Sequence, residues 1–191
     1  MKKTIVSLLV CTLLCVSLVT GCKSELADET TSTIYINKEE EIVGAYIESF
    51  DKAYYDEKEL KDIIKEKVKE VNEILGKKQV KLDTFKVKDK KAKLILNYKT
   101  LSAYNAFENI GMEIKKVSDY TDEFPKIVTL KGEEASSEEI KKEKDYKVIS
   151  TEEGIDIMVE GTIVYISENV EKIKDNRVKT TANQKNIIIY K

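Results

Sequence analysis

Gly21 and Cys22 are the residues whose types and order support the most specific chemistry in the chain. Cys22 carries a thiol that can form a thioether, and Gly21 fits a peptidase pocket that accepts only small residues. The pair ends the segment 18–22, which reads LVTGC. This order of residues predicts cleavage before Cys22 and attachment of a lipid to its sulfur.

The residues before Cys22 have the three parts of an export signal. Lys2 and Lys3 supply positive charge, residues 4–21 are uncharged and mostly Val, Leu and Ile, and small residues precede the cysteine. The Leu-x-x-Gly-Cys ending resembles that of bacterial lipoproteins, which implies more than one acyl chain on Cys22 and therefore stable anchoring. The alternative is an uncleaved membrane anchor, because a run of this length approaches the roughly 18 to 20 residues needed to span.

The composition excludes several kinds of site. The chain has no His, so no Ser-His-Asp or Cys-His system is possible. Cleavage before Cys22 would remove Cys11 and Cys15, which would leave the mature chain without a free thiol or a disulfide. The glycines are scattered and form no phosphate-binding loop. We therefore predict no catalytic residue, no metal and no cofactor.

The charge of the chain argues against a nucleic-acid partner. Loss of Lys2 and Lys3 would reduce the 33 Lys and Arg to 31, against 35 Asp and Glu, so the net charge would move from −2 to −4. The charges are mixed along the chain and form no basic tail. We therefore expect no binding of nucleic acid.

Carboxylates are the remaining groups that could do chemistry. Asp119, Asp122 and Glu123 lie close together and could form a weak calcium site, because calcium prefers oxygen ligands. A solvated acidic loop is the alternative, since 36% of the residues are charged. Acidic residues near predicted strands could also supply the two carboxylates of a glycosidase. These residues are Glu48, Asp51, Asp156 and Glu160.

Tyrosine is unusually frequent, with ten residues against four Phe. Its apolar ring and polar tip often mark binding surfaces. Tyr46, Tyr54 and Tyr55 flank the start of a predicted helix and could form one binding surface. The alternative is that these tyrosines line the rim of the core, with their hydroxyl groups in water.

The elements that must position these residues are a long helix and two hairpins. Apolar residues recur at helical spacing over 56–75, and Asp56, Glu59 and Gly76 fit its two ends. The single apolar stripe predicts that this helix packs on a sheet face. Alternation of residue types predicts hairpins that join strands 34–36 and 42–50, and strands 80–87 and 92–98.

The predicted fold class is α+β, with antiparallel β-hairpins, one long amphipathic helix packed on a sheet face and a β-rich C-terminal third. Polar residues 22–33 predict a lipidated cysteine with a flexible tether, and residues 34–191 predict a single extracytoplasmic domain. The smaller predicted elements are helices at 102–109, 111–120 and 136–144, and strands at 126–131, 146–151, 155–160, 162–167, 176–181 and 187–190.

Two segments, 33–72 and 159–181, resemble uncharacterised small exported lipoproteins of low-GC Gram-positive bacteria. They begin TIYINKEEEIVGAYIESF and VEGTIVYISENVEKIKDN. The resemblance implies a location on the outer face of the bacterial cytoplasmic membrane and an architecture, and it implies no catalytic residues.

We expect a non-enzymatic binding module held close to the membrane by acyl chains on Cys22. Its partner would be another envelope protein or a cell-wall glycan. A carboxylate-dependent hydrolase of wall polymers and a small solute-binding lipoprotein are the alternatives.

Overall fold

The structure is a computed structural model, and it describes residues 25–191. The predicted export signal, Gly21 and Cys22 lie outside the described residues. Within residues 25–191, no helix combines the length and the apolar character needed to cross a membrane.

Within residues 25–191, three α-helices form, and each begins with a side-chain N-cap. The longest, α1, begins where the Asp56 carboxylate accepts a hydrogen bond from the backbone N–H of Glu59 at 2.9 Å. It ends at Gly76, whose φ of 106° disfavours other residues. The helices are α1 (Glu57–Leu75), α2 (Leu101–Glu108) and α3 (Ser137–Ile140), with one 3-10 turn at Val117–Asp119.

The strands of the described residues form two sheets. Their bounds are β1 (Thr33–Ile36), β2 (Ile42–Ser49), β3 (Val80–Lys88), β4 (Lys91–Tyr98), β5 (Glu113–Lys116), β6 (Ile127–Thr129), β7 (Glu134–Ala135), β8 (Lys147–Thr151), β9 (Asp156–Val159), β10 (Ile163–Ser167), β11 (Glu171–Lys174), β12 (Arg177–Lys179) and β13 (Asn186–Tyr190). The first sheet has the order β11-β12-β9-β1-β2-β4-β3, and the second has the order β5-β8-β13-β10-β6-β7.

The inner faces of the two sheets share one hydrophobic core. Alternate residues of β1, β2, β4 and β9 meet alternate residues of β8, β10 and β13 there. Strand β13 is buried on both faces, because Ile187 and Ile189 pack into a second cluster under the 3-10 turn and α3. Helices α1 and α2 cover the β3–β4 end of the first sheet.

The predicted fold class is confirmed. The structure is α+β, the 19-residue α1 packs against a sheet, and the C-terminal part is rich in strands. Both predicted hairpins form. One strand pair among the described residues departs from the antiparallel pattern, because β1 and β9 are parallel. Sequence patterns that predict hairpins concern only neighbouring strands. They therefore could not predict that β1 pairs with β9, which lies far along the chain.

The predicted helix at 111–120 is wrong. Residues 113–116 form β5, which pairs with β8, and the 3-10 turn follows. The spacing of Ile114 and Val117 suggested one helical face. These residues instead pack into separate clusters, Ile114 against the main core and Val117 into the outer one. The exposed strand β11 was not predicted, since Glu171–Lys174 carries three charges in four residues.

Residues 25–32, here named the N-terminal strap, are packed where the sequence predicts a flexible tether. Leu26 is fully buried against Ala45 and Ile95 on the outer face of the first sheet. The Lys93 Nζ donates to the backbone oxygens of Ala27 and Glu29, both at 2.7 Å. The strap is therefore packed on the first sheet, although the sequence predicts a flexible tether up to residue 33.

Arg177 fastens the strap to the sheet. Its Nη1 donates to both carboxylate oxygens of Glu29 at 3.0 Å, and its Nη2 donates to Asp156 Oδ2 at 2.8 Å. Nη2 also donates to the hydroxyls of Thr31 and Thr33. The only Arg of the chain is thus committed to a buried ionic network.

Candidate functional site

An open groove of about 440 Å³ lies between the first half of α1 and the ends of β2 and β4. We name it the aromatic groove. Its apolar lining comes from Phe50, Tyr54, Tyr55, Leu60, Ile63 and Ala92, and its polar lining comes from Glu48, Ser49, Asp56 and Glu59.

The groove exists because one inner-face residue of β4 is small. Tyr98, Leu96, Leu94 and Ala92 follow one another along that face, and the first three carry large side chains. Ala92 lies at the end of this series, opposite Glu48 in the sheet. The short side chain leaves space beneath α1, so Leu60 and Ile63 line a groove there.

Tyr54 and Tyr55 form the exposed side of the groove. Their ring centroids are 5.0 Å apart in an edge-to-face arrangement, and the Tyr55 ring lies 5.0 Å from that of Phe50. Tyr54 is 78% exposed and Ile63 is 56% exposed. The adjacent Tyr54 hydroxyl raises the pKa of Tyr55. Large apolar side chains are therefore presented to solvent side by side.

The charged residues that line the groove are acidic. Glu48, Asp56 and Glu59 all contribute to its walls, and no Lys or Arg of the described chain does. The groove therefore combines an apolar floor with a negative rim.

Tyr46 does not join Tyr54 and Tyr55, so the three tyrosines predicted to share a surface are separated. Tyr46 packs against the main core, and its hydroxyl lies 2.9 Å from that of Tyr98. Gly44 makes room for this ring, because a Cβ at that position would lie 2.5 Å from the Tyr46 hydroxyl oxygen. The Tyr98 hydroxyl in turn donates to Glu108 Oε1 at 2.5 Å.

The buried tyrosines should ionise only when the chain unfolds. Burial raises the pKa of Tyr46, Tyr98, Tyr104 and Tyr190 well above its ordinary value. The folded state then holds protons that the unfolded chain releases, so the stabilisation is complete below pH about 10 and is lost as pH rises further. In an alkaline titration, the last phenolate absorbance should appear together with loss of circular dichroism.

A Tyr98→Phe variant supplies the control for this titration. It should remove one tyrosine from the late step and leave the earlier step unchanged. Complete phenolate formation in a chain that keeps its native circular dichroism would show that these hydroxyls are not buried.

The other predicted carboxylates are mostly engaged in structural contacts. Asp156 binds Arg177, Glu160 accepts from the backbone N–H of Lys38, and Asp122 pairs with Lys185 at 2.7 Å. Among residues 25–191, no group of three or more His, Cys, Asp or Glu side chains could hold a metal ion. Of the four predicted hydrolase residues, Glu48 and Asp156 line cavities, but no cavity of the described chain is lined by both.

Sequence reasoning missed Phe50, Ile63 and Ala92 as groove residues. Ile63 belongs to the apolar stripe of α1, which the sequence predicts to pack on a sheet face. Within that helix, only Ile64 and Val71 are buried, whereas Ile63, Ile74 and Leu75 are exposed. Of the three missed residues, Ala92 alone has a signal in the sequence, and the signal is weak: it is a small residue at the end of the series of large inner-face residues of β4.

Comparison with protein-family models, with curated proteins and with solved structures finds no match to this chain. The groove and its lining residues are therefore the basis for a functional proposal.

Proposed function

We propose that this protein is a non-enzymatic, lipid-anchored binding module on the outer face of a bacterial cytoplasmic membrane. Its aromatic groove holds an apolar, positively charged peptide segment of another exported protein. The observation that carries the proposal is the groove beneath α1, which is apolar at its floor and acidic at its rim.

The exposed rings favour a binding role. Tyr54 and Tyr55 add to Ile63 and Leu60 to make a contiguous apolar surface, and such surfaces commonly mark interaction sites. Tyrosine is enriched among residues that contribute most to binding, because its ring buries a large area at little conformational cost. A partner that covers this surface would remove both rings from water.

The chemistry of the lining favours a peptide over a glycan. Leu60, Ile63 and Ala92 offer a partner only apolar contacts, whereas a sugar needs many hydrogen-bonding groups around its hydroxyls. The acidic residues Glu48, Asp56 and Glu59 complement Lys or Arg on a partner. An apolar side chain next to a basic one fits both features.

The packed strap supports a position close to the bilayer. Cys22 and the buried Leu26 are four residues apart, a span of at most about 14 Å in a fully extended chain. A lipid on Cys22 would therefore hold the groove near the membrane surface, where its partner must also lie.

Photocrosslinking in intact cells tests the proposal. A photoreactive phenylalanine analogue in place of Tyr54 should capture a discrete protein, because the ring at this position contacts the partner. The same analogue in place of Ile74 is the matched control, since Tyr54 and Ile74 are 78% and 79% exposed but lie at opposite ends of α1.

Two groove variants make the result specific. Ala92→Phe should fill the groove and Ile63→Ser should weaken its wall, and both should reduce capture from position 54 at least tenfold. Thermal unfolding would verify that each variant is folded. Equal capture from positions 54 and 74, or capture of glycan instead of protein, would overturn the proposal.

A further inference from the structure

A second cavity, of about 260 Å³, lies beside the aromatic groove and shares Glu48 with it. We name it the tyrosine–glutamate cavity. Its principal lining residues are Ser32, Tyr46, Glu48, Tyr104, Glu108 and Glu153. It is bounded by the end of the N-terminal strap, by β2, by α2 and by the loop before β9.

The directions of the hydrogen bonds around this cavity can be assigned. An ionised carboxylate only accepts, so the Tyr98 hydroxyl donates its proton to Glu108 Oε1 at 2.5 Å. Tyr46 must then donate to Tyr98 across their 2.9 Å contact. Burial raises the pKa of both hydroxyls, which keeps them protonated in this arrangement.

Most of the remaining polar groups of the lining are acceptors, and the Tyr104 hydroxyl is the exception. The Ser32 hydroxyl is already committed, since it donates to the Ile47 oxygen at 3.3 Å and accepts from the Ile47 N–H at 2.9 Å. The Tyr46 oxygen keeps its accepting capacity, and Glu108 Oε2 has no hydrogen-bond partner among residues 25–191. Glu48 and Glu153 add two further carboxylates.

We propose that the tyrosine–glutamate cavity binds the ammonium or guanidinium group of a ligand, such as the end of a Lys or Arg side chain. The three glutamates and the Tyr46 oxygen accept hydrogen bonds, and the Tyr104 hydroxyl is the one lining side-chain group with a proton to donate, so a ligand rich in hydrogen-bond donors fits the cavity. Three glutamates line the cavity with no Lys or Arg among its lining residues, so a positive charge matches it.

The tyrosines favour an organic cation over a metal ion. Tyr46 and Tyr104 both line the cavity, and aromatic faces attract ammonium and guanidinium groups. Calcium requires six to eight oxygen ligands, and no group of acidic side chains in the described part of the chain could hold a metal.

The hydrogen bond from Tyr98 gives Glu108 a defined orientation. The carboxylate is half-buried and fixed through Oε1, so Oε2 is the atom available to a ligand. A positioned carboxylate binds a cation without first losing side-chain freedom. Glu108 is therefore the residue on which selectivity should depend most.

Titration with N-acetyl-lysine-amide and N-acetyl-arginine-amide tests the proposal by calorimetry and by tyrosine chemical shifts. Both probes should bind the intact soluble domain saturably, whereas N-acetyl-norleucine-amide, which lacks the charge, should not. Glu108→Gln keeps an oxygen for Tyr98 and removes the charge, so it should weaken binding at least tenfold.

Two further variants and one salt complete the design. Glu153→Gln changes an exposed residue, so it should fold normally and weaken binding even if Glu108→Gln does not fold. Glu138→Gln removes an exposed carboxylate away from the cavity and should bind like the unaltered protein. Calcium chloride should neither bind nor displace the amides.

The result is separable from the function proposed for the groove. Ala92→Phe fills the groove and leaves the cavity open, so this variant should still bind both amides. Failure of both amides to bind the unaltered protein would overturn the inference. The inference would also be overturned if Glu108→Gln and Glu153→Gln both bound the amides as tightly as the unaltered protein does. Displacement of the amides by calcium would overturn it as well.

Discussion

Replacement of Arg177 by Met is expected to lower the free energy of unfolding by about 3–5 kcal/mol, the usual result of removing one partner from a buried ionic network. Arg177 is only 8% exposed and lies between Glu29 and Asp156. Without it, both carboxylates would remain largely shielded from water with no cation beside them. The strap would then lose its main attachment to the sheet.

Urea unfolding measures this effect. Lys174→Met is the matched control, because Lys174 is exposed and faces Arg177 across the β11–β12 pair, and it should change the free energy by no more than about 0.5 kcal/mol. Addition of Glu29→Gln and Asp156→Asn to Arg177→Met should recover part of the loss. A loss no larger than that of Lys174→Met would show that the network does not hold the strap.

Replacement of Cys22 by Ala is expected to move most of the protein from the membrane to the soluble fraction. The sulfur of Cys22 is the predicted attachment point of the acyl chains. Each buried CH₂ group of these chains contributes about 0.8 kcal/mol to the free energy of membrane binding. The export signal would still end in small residues, so export should continue. Membrane fractionation and immunoblotting measure the change.

Cys15→Ala is the matched control for this variant. Cys15 lies inside the apolar run and is removed with the predicted signal, so its replacement should leave the protein on the membrane. Retention of both the native protein and the Cys22 variant in the membrane, without lipid on either, would identify residues 4–21 as an uncleaved anchor. Cys11, Cys15 and Cys22 would then all remain in the chain, and thiol chemistry would return as a possibility.

Local patterns predicted the elements whose partners are close in sequence. The apolar stripe and the Asp56 cap predicted α1 within one residue of its observed start. Alternation predicted the β3–β4 hairpin, although its two-residue turn carries Asp89 and Lys90 at positive φ instead of the usual Asn-Gly. In these segments, propensity and burial favour the same conformation.

Long-range contacts account for most of what was not predicted. The strap reads as a polar tether because Leu26 is its only large apolar residue, and nothing local indicates that Arg177 binds Glu29. The parallel β1–β9 pair likewise joins strands more than 100 residues apart. The groove depends on the space that Ala92 leaves, and sequence periodicity reports which faces are apolar but not where space remains.

The candidate site was predicted in part. The sequence singled out Tyr54 and Tyr55, which lie together in the groove, and also Tyr46, which binds Tyr98 in the core. Spacing along the chain cannot separate these cases, because Tyr46 alternates inward along β2 while Tyr54 and Tyr55 lie in the loop before α1.

The intact mass of the native protein, extracted from membranes, is the most direct test of the lipid anchor. We expect a chain that begins at Cys22 and carries the added mass of a lipid with more than one acyl chain. A lipid at Cys22 would hold the strap, the groove and the cavity close to the bilayer. A mass equal to the full unmodified chain of 191 residues, or to a chain from Cys22 without lipid, would contradict this expectation.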